Sequence, residues 1–342
     1  MRIGILTGGG DAPGLNGIIE AATKSLLRLG HEVIGIHDGF EGIFYDRTKS
    51  LSVCDVEGAH GEAGTLLGTS NRCGTEGREQ EFIKKYQELK LDALVAAGGD
   101  GTFQGLQAFK EDINLIGVPK TIDNDLAGTD ITFGYDTACS VVAHSVDSLR
   151  ATANAHRRVI VVETMGRTAG WIALGGAMAS YADAVLLPER PFKKEKLLQF
   201  IKEKRASGQR GIIVVVAEGA HSEDGEALVR DTVEGAPQAE RFGGIAEHLA
   251  KYIDQNMEGE SRHIVLGHLQ RSTSPTTTDR FLTLAMGTTV AKMVEQKMWG
   301  HAAVYRDGVV KPAPIADFFN PPKLVEEDHR WIQMCQAVGI FV

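Results

Sequence analysis

Positive charge is in short supply in this 342-residue chain, cysteine is rarer still, and long apolar runs are missing. Thirty-six Lys and Arg stand against 45 Asp and Glu, a net charge of -9. With no basic stripe along the chain, general nucleic-acid binding is excluded as a reading. Any anionic phosphate must then be held by local arginines, helix N-termini or a metal. The four cysteines, Cys54, Cys73, Cys139 and Cys335, show no C-x-x-C spacing and no histidine at metal-finger distance. They read as reduced thiols of a cytoplasmic protein. No apolar run approaches the roughly 18 residues needed to cross a bilayer. The opening Arg2–Leu6 reads as a strand with no signal-peptide pattern. A soluble protein with no nucleic-acid and no membrane partner is expected. Internal repeats and low-complexity segments are also absent. Glycine is the excess: 40 residues, about one in eight against a usual share of about 7%. Its short clusters point to backbone held close to a ligand.

A chain of this length exceeds the usual single core, so two domains are expected. R-I-G-I-L-T reads as a strand that runs into G-G-G-D-A-P-G and an amphipathic stretch, Leu15 to Leu29. H-E-V-I-G-I-H is a second strand. A helix over Glu79–Leu89 leads to L-D-A-L-V-A-A, a helix over Phe103–Lys110 follows, and I-N-L-I-G-V-P is a further strand. After a helix over Ser140–Ala153, the strands R-R-V-I-V-V-E-T, A-D-A-V-L-L-P-E and G-I-I-V-V-V-A-E-G form a second series. A helix over Gly243–Asn256 and a strand in R-H-I-V-L-G-H-L-Q-R close it; the tail beyond Asp307 is left unplaced. Strands alternating with helices imply parallel sheets with right-handed crossovers. The expected fold is therefore α/β: two Rossmann-like three-layer α/β/α domains with mainly parallel sheets and an active site in the cleft between them.

In such sheets ligands lie beyond the carboxyl ends of the strands, and the polar clusters fall there. V-P-K-T-I-D-N-D, Val118–Asp125, is the most informative. It places Lys120, Thr121, Asp123 and Asp125 within six residues after an apolar run. On an extended backbone Asp123 and Asp125 point to one side. A lysine to steady phosphate, a carboxylate to take a proton and another near a metal suit phosphoryl transfer to an alcohol. A polar loop with an Asx-type turn at Asn124 is the plainer alternative. Gly8–Asn16, between strand and helix, can present backbone N–H groups to phosphate oxygens; it lacks both the P-loop ending and the G-x-G-x-x-G fingerprint. G-G-D-G-T, Gly98–Thr102, places Asp100 where it can hold Mg2+ against a polyphosphate. Arg72 in G-T-S-N-R-C-G offers a guanidinium to a transferring phosphoryl group. M-G-R (Met165–Arg167), A-E-G with Glu218, and H-L-Q-R with His268 and Arg271 suit a sugar phosphate. Each taken alone reads better as a surface ion pair; the joint case rests on five polar strand ends.

Six segments in order and register, G-G-G-D-A-P-G, G-G-D-G-T, T-I-D-N-D, E-T-M-G-R, A-E-G and L-G-H-L-Q-R, resemble the bacterial A-type 6-phosphofructokinase family over roughly residues 1–310. The resemblance implies phosphorylation of fructose 6-phosphate at its 1-hydroxyl, with ATP as co-substrate and Mg2+ as cofactor. It makes Asp123 the base, with Thr121 beside it and with Arg72, Lys120 and Mg2+ neutralising the transferred group. Asp100 would hold the metal, with Asp125 close by. Gly10, Arg72, Cys73, Gly99, Gly101 and Thr102 would surround the nucleotide phosphates, and Gly105 the adenine side. Thr121, Ile122, Asp123, Met165, Gly166, Arg167, Glu218, His268, Leu269, Gln270 and Arg271 would hold the sugar phosphate. Arg158 and Arg262 match arginines that the family supplies from a neighbouring subunit, implying a homodimer or homotetramer. The implied domains are 1–135 plus 250–300 for nucleotide and 136–249 plus 301–320 for sugar phosphate, with 321–342 a tail.

Two departures stand out. Lys120 occupies a position where ATP-dependent bacterial enzymes have glycine and pyrophosphate-dependent relatives have lysine. Gly101 is the small residue that leaves space for the α-phosphate of ATP, where pyrophosphate enzymes carry aspartate. An aspartate would meet that phosphate by bulk and by charge, so Gly101 decides for ATP and the pattern resembles the mixed-substrate group. A pyrophosphate-dependent enzyme and a non-catalytic sensor remain as alternatives. Glu20 and Lys24 stand where the family's effector site has two arginines, although Arg150 and Asp183 match it. Weak or absent response to ADP and phosphoenolpyruvate is the expectation.

Overall fold

The structure is a computed structural model describing residues 1–70, 74–225, 229–232 and 240–342. In chain order its strands are β1 (Arg2–Thr7), β2 (Glu32–Ile36), β3 (Thr48–Ser50), β4 (Ala93–Gly98), β5 (Leu115–Pro119), β6 (Val159–Thr164), β7 (Ala184–Leu186), β8 (Ile212–Ala217), β9 (Val229–Thr232), β10 (Glu240–Phe242), β11 (Ser261–Val265), β12 (His301–Arg306) and β13 (Val309–Pro314). One sheet has the order β13-β12-β5-β4-β1-β2-β3, a second the order β11-β6-β8-β7, and β9 and β10 form a ribbon. The inner pairs of the large sheet are parallel; only the edge pairs β2/β3 and β12/β13 are antiparallel. All pairs of the second sheet are parallel.

Burial on both faces explains why the central strands read as continuous apolar runs. Ile3, Ile5, Val95 and Ala97 face one side of the large sheet, against Ile18, Ile19 and Leu26 of the helix Leu15–Arg28 and Val290 and Val294 of the helix Thr277–Glu295. Leu6, Leu94 and Ala96 point the other way, onto Phe82, Phe103 and Phe109. In the second sheet Ile160, Val162, Ile213 and Val215 pack under the helix Trp171–Ala179, while Val161, Val214 and Val216 meet Leu197, Leu249 and Ile253 behind it. The period-two alternation thus builds two three-layer α/β/α units. The helices 15–28 and 277–295 cross closely: a Cβ on Gly287 would come within 2.5 Å of the Ala21 Cβ.

The expected domain boundaries need correction. The strands β12 and β13 extend the large sheet beside β5, so 301–314 belong with the nucleotide half. Strand β11 pairs with β6, so 261–265 belong with the other. Hydrogen bonding along an open sheet edge, not chain order, decides both. The tail is placed as well: Val325, Ile332, Cys335 and Ile340 are buried in the core of the second unit. Helix starts also differ from expectation, at Asp100 and Tyr135. The latter helix is capped in trans, because buried Asp279 accepts from the N–H groups of Gly134 and Thr137, each at 2.9 Å.

Candidate active site

The carboxyl ends of β1 and β4 carry the glycine loops, and that of β5 carries the T-I-D-N-D segment. Strand ends come unusually close at Gly8 and Gly98: a Cβ there would lie 2.6 Å and 2.3 Å from the Thr102 Oγ1. Thr102 is buried between them, so its side chain packs the loop and only its backbone faces outward chemistry. Gly101, by contrast, has no atom within 4 Å of where a Cβ would stand. A side chain added there would enter open space above the loop. Gly10 lies against the Arg271 guanidinium, which donates to the Asp11 carbonyl at 2.5 Å. The ammonium of Lys120, only 3% exposed, donates to the Gly10 carbonyl. Burial and the nearby Arg271 guanidinium pull its pKa down to about 7, against the opposing attraction of Asp11, Asp123 and Asp125. Lys120 therefore braces the glycine loop from beneath.

The T-I-D-N-D segment departs from the extended backbone expected of it. Asn124 has φ +52°, a left-handed turn that its short amide side chain tolerates. Its Oδ1 accepts from the N–H of Thr132 at 3.1 Å. The turn, not strand alternation, brings the two carboxylates to one side. The Thr121 hydroxyl accepts from the Asp123 N–H at 3.1 Å and bonds the Asp125 carboxylate. Ile122 between them is fully buried in the core of the second unit. Its side chain is turned into the core, so any contact with a substrate falls to its backbone.

Asp100, Asp123 and Asp125 line one cavity of about 200 Å3 together with Arg167, Thr168 and Ala169. A larger cavity of about 520 Å3 adjoins it through Asp100, with Gln104 and Gln107 on its wall. The first sheet thus supplies carboxylates and the second a guanidinium across one cleft. Burial raises the Asp123 pKa, against the attraction of Arg271 and Lys120. One of its oxygens, Oδ1, is buried without a hydrogen-bond partner among the described residues. Burial, with Asp123 and Asp100 alongside, carries Asp125 to about 7. Burial, with Asp123 and Glu163 alongside, does the same for Glu218. A carboxylate whose pKa burial raises, with a free buried oxygen, suits proton acceptance from an alcohol.

On the second sheet Gly166 (φ +132°) and Gly219 let two loops touch; a Cβ on Gly219 would stand 1.8 Å from the Arg167 carbonyl oxygen. This contact seats Arg167 at the cavity, with Met165 partly buried behind it. Buried Glu163 accepts from the N–H groups of Gly244 and Ala246 and so caps the helix Ile245–Asn256. Beyond β11 a 3-10 turn, Gly267–Arg271, leaves His268 and Leu269 exposed and aims Arg271 at the glycine loop. Gln270 is fully buried and donates to the Gly267 carbonyl of its own turn. Its Oε1 is buried without a partner among the described residues.

Several expected residues lie elsewhere. Arg158 and Arg262 sit at the amino ends of β6 and β11, both bonded to Glu260. The six-residue strand β6, about 20 Å, separates Arg158 from the cleft of its own chain, and most of β11 separates Arg262 from it. Arg72 and Cys73 fall outside the described residues. Glu20 accepts from Lys24 Nζ, the His60 N–H, His60 Nδ1 and the Gly58 N–H. Arg150 is turned onto the carbonyls of Ser180 and Tyr181, and Asp183 onto Gln209 and the Ile213 N–H. Sequence reasoning missed Gln104, which donates to Asp100 at 2.7 Å. It also missed the tail residues Phe318, Asn320 and Pro322, which wall the cavity; no periodicity or spacing points to them.

Comparison with known proteins places the chain in a family. A family model described as Phosphofructokinase matches residues 2–294. The chain is 37% identical to a Clostridium perfringens protein named ATP-dependent 6-phosphofructokinase 2, covering 99% of this chain and 97% of the relative. It is 40% identical to a Chloroflexus aurantiacus protein named ATP-dependent 6-phosphofructokinase, with the same coverage. The solved phosphofructokinase of Saccharomyces cerevisiae superposes with a TM-score of 0.81 at 27% identity, covering 92% of this chain and 45% of the yeast one.

Proposed function

The chain belongs to the phosphofructokinase family, and we propose that its cleft carries the γ-phosphoryl group of ATP to the 1-hydroxyl of fructose 6-phosphate, with Asp123 as the base. The observation that carries this reading is the convergence of Asp100, Asp123, Asp125 and Arg167 on one cavity between two sheets. The sugar O1–phosphorus bond forms as the bond from phosphorus to the β,γ-bridging oxygen of ATP breaks. The hydroxyl proton passes to the Asp123 carboxylate and ADP leaves. Arg167 and Arg271 hold the sugar phosphate by charge-assisted hydrogen bonds, and Glu218 accepts from sugar hydroxyls. Arg72 lies on the nucleotide side. The glycine loops present backbone to the nucleotide phosphates, with Lys120 bracing them.

The carboxylates of Asp100 and Asp125 on the cavity wall fit Mg2+, which takes one or two carboxylates and leaves its other positions to water and phosphate. Asp100 would hold it, with Asp125 beside. Bound there, the ion would neutralise charge on the phosphate oxygens. Three observations set out above bear on donor, regulation and assembly. Open space over Gly101 supports ATP as donor, and the bracing position of Lys120 removes it as a sign of pyrophosphate. Glu20 spends its carboxylate on Lys24 of its own helix and on Gly58 and His60, which supports insensitivity to ADP and phosphoenolpyruvate. Arg158 and Arg262, remote from their own cleft, support a homodimer or homotetramer in which each completes a neighbour's site. The described cysteines are free thiols, in keeping with a cytoplasmic enzyme, and no described helix is long and apolar enough to cross a membrane.

Turnover of fructose 6-phosphate with ATP and with pyrophosphate, on the native chain and on Asp123→Ser, tests this reading. ATP turnover that falls about 10²–10⁴-fold in the variant is expected. Turnover with pyrophosphate alone overturns the donor, and an unimpaired Asp123→Ser overturns the base.

A further inference from the structure

The tail joins the two halves of the cleft through one residue. Lys323 lies 199 positions from Asn124 in sequence, yet its ammonium donates to Asn124 Oδ1 at 3.2 Å. The same ammonium reaches the carbonyls of Thr129 at 3.1 Å and Asp130 at 2.9 Å. A lysine has three N–H donors, and all three are spent on one loop. The Lys323 backbone N–H adds a fourth bond, to the Asp125 carbonyl at 2.8 Å. Every element that these bonds hold flanks Asp123.

The other side of the strap grips the second sheet. The Lys323 carbonyl accepts from the Trp171 indole N–H at 2.8 Å, and the ammonium stands 5.7 Å from that ring, within cation–π range. Two residues on, the Val325 N–H donates to Glu189, which also accepts from the Gly170 N–H. Gly170 and Trp171 follow directly on the Arg167–Ala169 wall of the cavity. Upstream, Phe318, Asn320 and Pro322 of the same segment line that cavity. Downstream, His329 and Trp331 set their rings edge-on to Trp171, at 5.0 Å and 5.9 Å.

We propose that Lys323 is a positioning residue: it holds the left-handed turn at Asn124, and with it Asp123 and Asp125, in register with the Arg167 wall opposite. The proposal rests on the reading of Asp123 as base. A surface lysine would leave its ammonium in water, at the cost of only one weak bond if removed. Here removal strips one partner from each of three acceptors and frees a turn that carries two reacting-site carboxylates. Misplacing such groups by about 1 Å costs up to about a hundredfold in rate. Binding of the two substrates, made mostly by other loops, changes little.

Steady-state kinetics on the full-length chain test this, with Lys323→Met, Lys323→Arg and Asn124→Gly, each checked by thermal melting. Lys323→Met lowers kcat roughly tenfold or more, with KM for both substrates within about twofold. Lys323→Arg, which keeps charge and several donors, restores most of that loss. Asn124→Gly keeps the positive φ but removes the Oδ1 acceptor, so adding Lys323→Met to it costs clearly less than in the native background. If the methionine variant does not fold, Lys323→Gln takes its place in the same cycle. A kcat within twofold of native overturns the proposal, as does failure of arginine to rescue or strict additivity with Asn124→Gly. If Asp123→Ser is inactive while Lys323→Met is unimpaired, only the positioning role falls. If Asp123→Ser is active, the reading of the base falls with it.

Discussion

The second sheet has two ends with opposite chemistry. At the carboxyl ends of β6 and β8, Arg167 and Glu218 join Asp123 and Arg271 in a partly buried group whose carboxylates are lifted toward neutrality. At the amino ends of β6 and β11, Arg158, Arg262 and Glu260 make exposed ion pairs whose carboxylate is held below its usual range, first by the bond from Arg158. The same strands supply both ends, so the difference lies in what each end faces. The carboxyl end faces another sheet and loses water. The amino end faces solvent in the single chain, and exposed pairs of that kind contribute little to stability. Arg158 and Arg262 therefore stand at the end of the sheet away from their own cleft, which is where the proposed use by another copy of the chain needs them.

The sharpest way to break this comparison is to mix subunits. Arg158→Ala and Asp123→Ser are each expected to be crippled alone. Refolded or exchanged together, they form hybrids in which one site receives Asp123 from one subunit and Arg158 from the other. Recovery of a substantial share of native ATP turnover is expected; a mixture no better than its parts shows that the amino end is not functional. A smaller effect is expected at the buried end from Glu218→Gln. It keeps shape but accepts fewer hydrogen bonds from sugar hydroxyls, so KM for fructose 6-phosphate rises about tenfold while KM for ATP stays put. Equal changes in both constants would remove Glu218 from the sugar side.

The smallest effect concerns a carboxylate remote from both ends. Burial alone would raise the Glu20 pKa, but hydrogen bonds from Lys24, the His60 backbone and ring and Gly58 outweigh it and hold it at about 2. A lowered folded-state pKa gives stability that is present above the unfolded value, near 4.5, and is lost as pH falls through the folded one. Glu20→Gln is thus expected to melt a few degrees lower than native at pH 7, with the gap closing between about pH 4.5 and 2. Neither protein should show a sigmoidal sugar-phosphate curve or respond to phosphoenolpyruvate. A melting gap that persists unchanged at pH 2.5 overturns the electrostatic account, and strong inhibition by phosphoenolpyruvate overturns the regulatory one.

Much of the site was legible because its chemistry is local. G-G-D-G-T and T-I-D-N-D each place their reactive groups within a few residues at the end of an apolar strand, and a parallel sheet sends all such ends to one edge. The buried alternation of β4 and β8 likewise announces two-sided sheets. The burial of Ile122 and Gln270 was not legible, for the converse reason. They lie inside site motifs, yet alternate residues of a loop must anchor it, and these two point into the core. Asp123 and Asp125 converge as expected, but through a left-handed residue at Asn124, whose side chain reaches Thr132 and Lys323 and makes no Asx turn, and not through extended backbone.

What the sequence by itself determined is the set of short-range features: strand and helix periods, glycine positions that allow backbone to approach phosphate, and the carboxylates of the reacting segment. Tertiary structure alone decided which sheet β11 and β12 joined, which amino-end arginines were kept from their own cleft, and that the tail returned to lay Lys323 across Asn124. Sheet-edge pairing and a lysine satisfied by three carbonyl or amide oxygens depend on groups distant in sequence and adjacent only after folding. No local pattern encodes such a contact, because its energy comes from desolvating and pairing both partners at once.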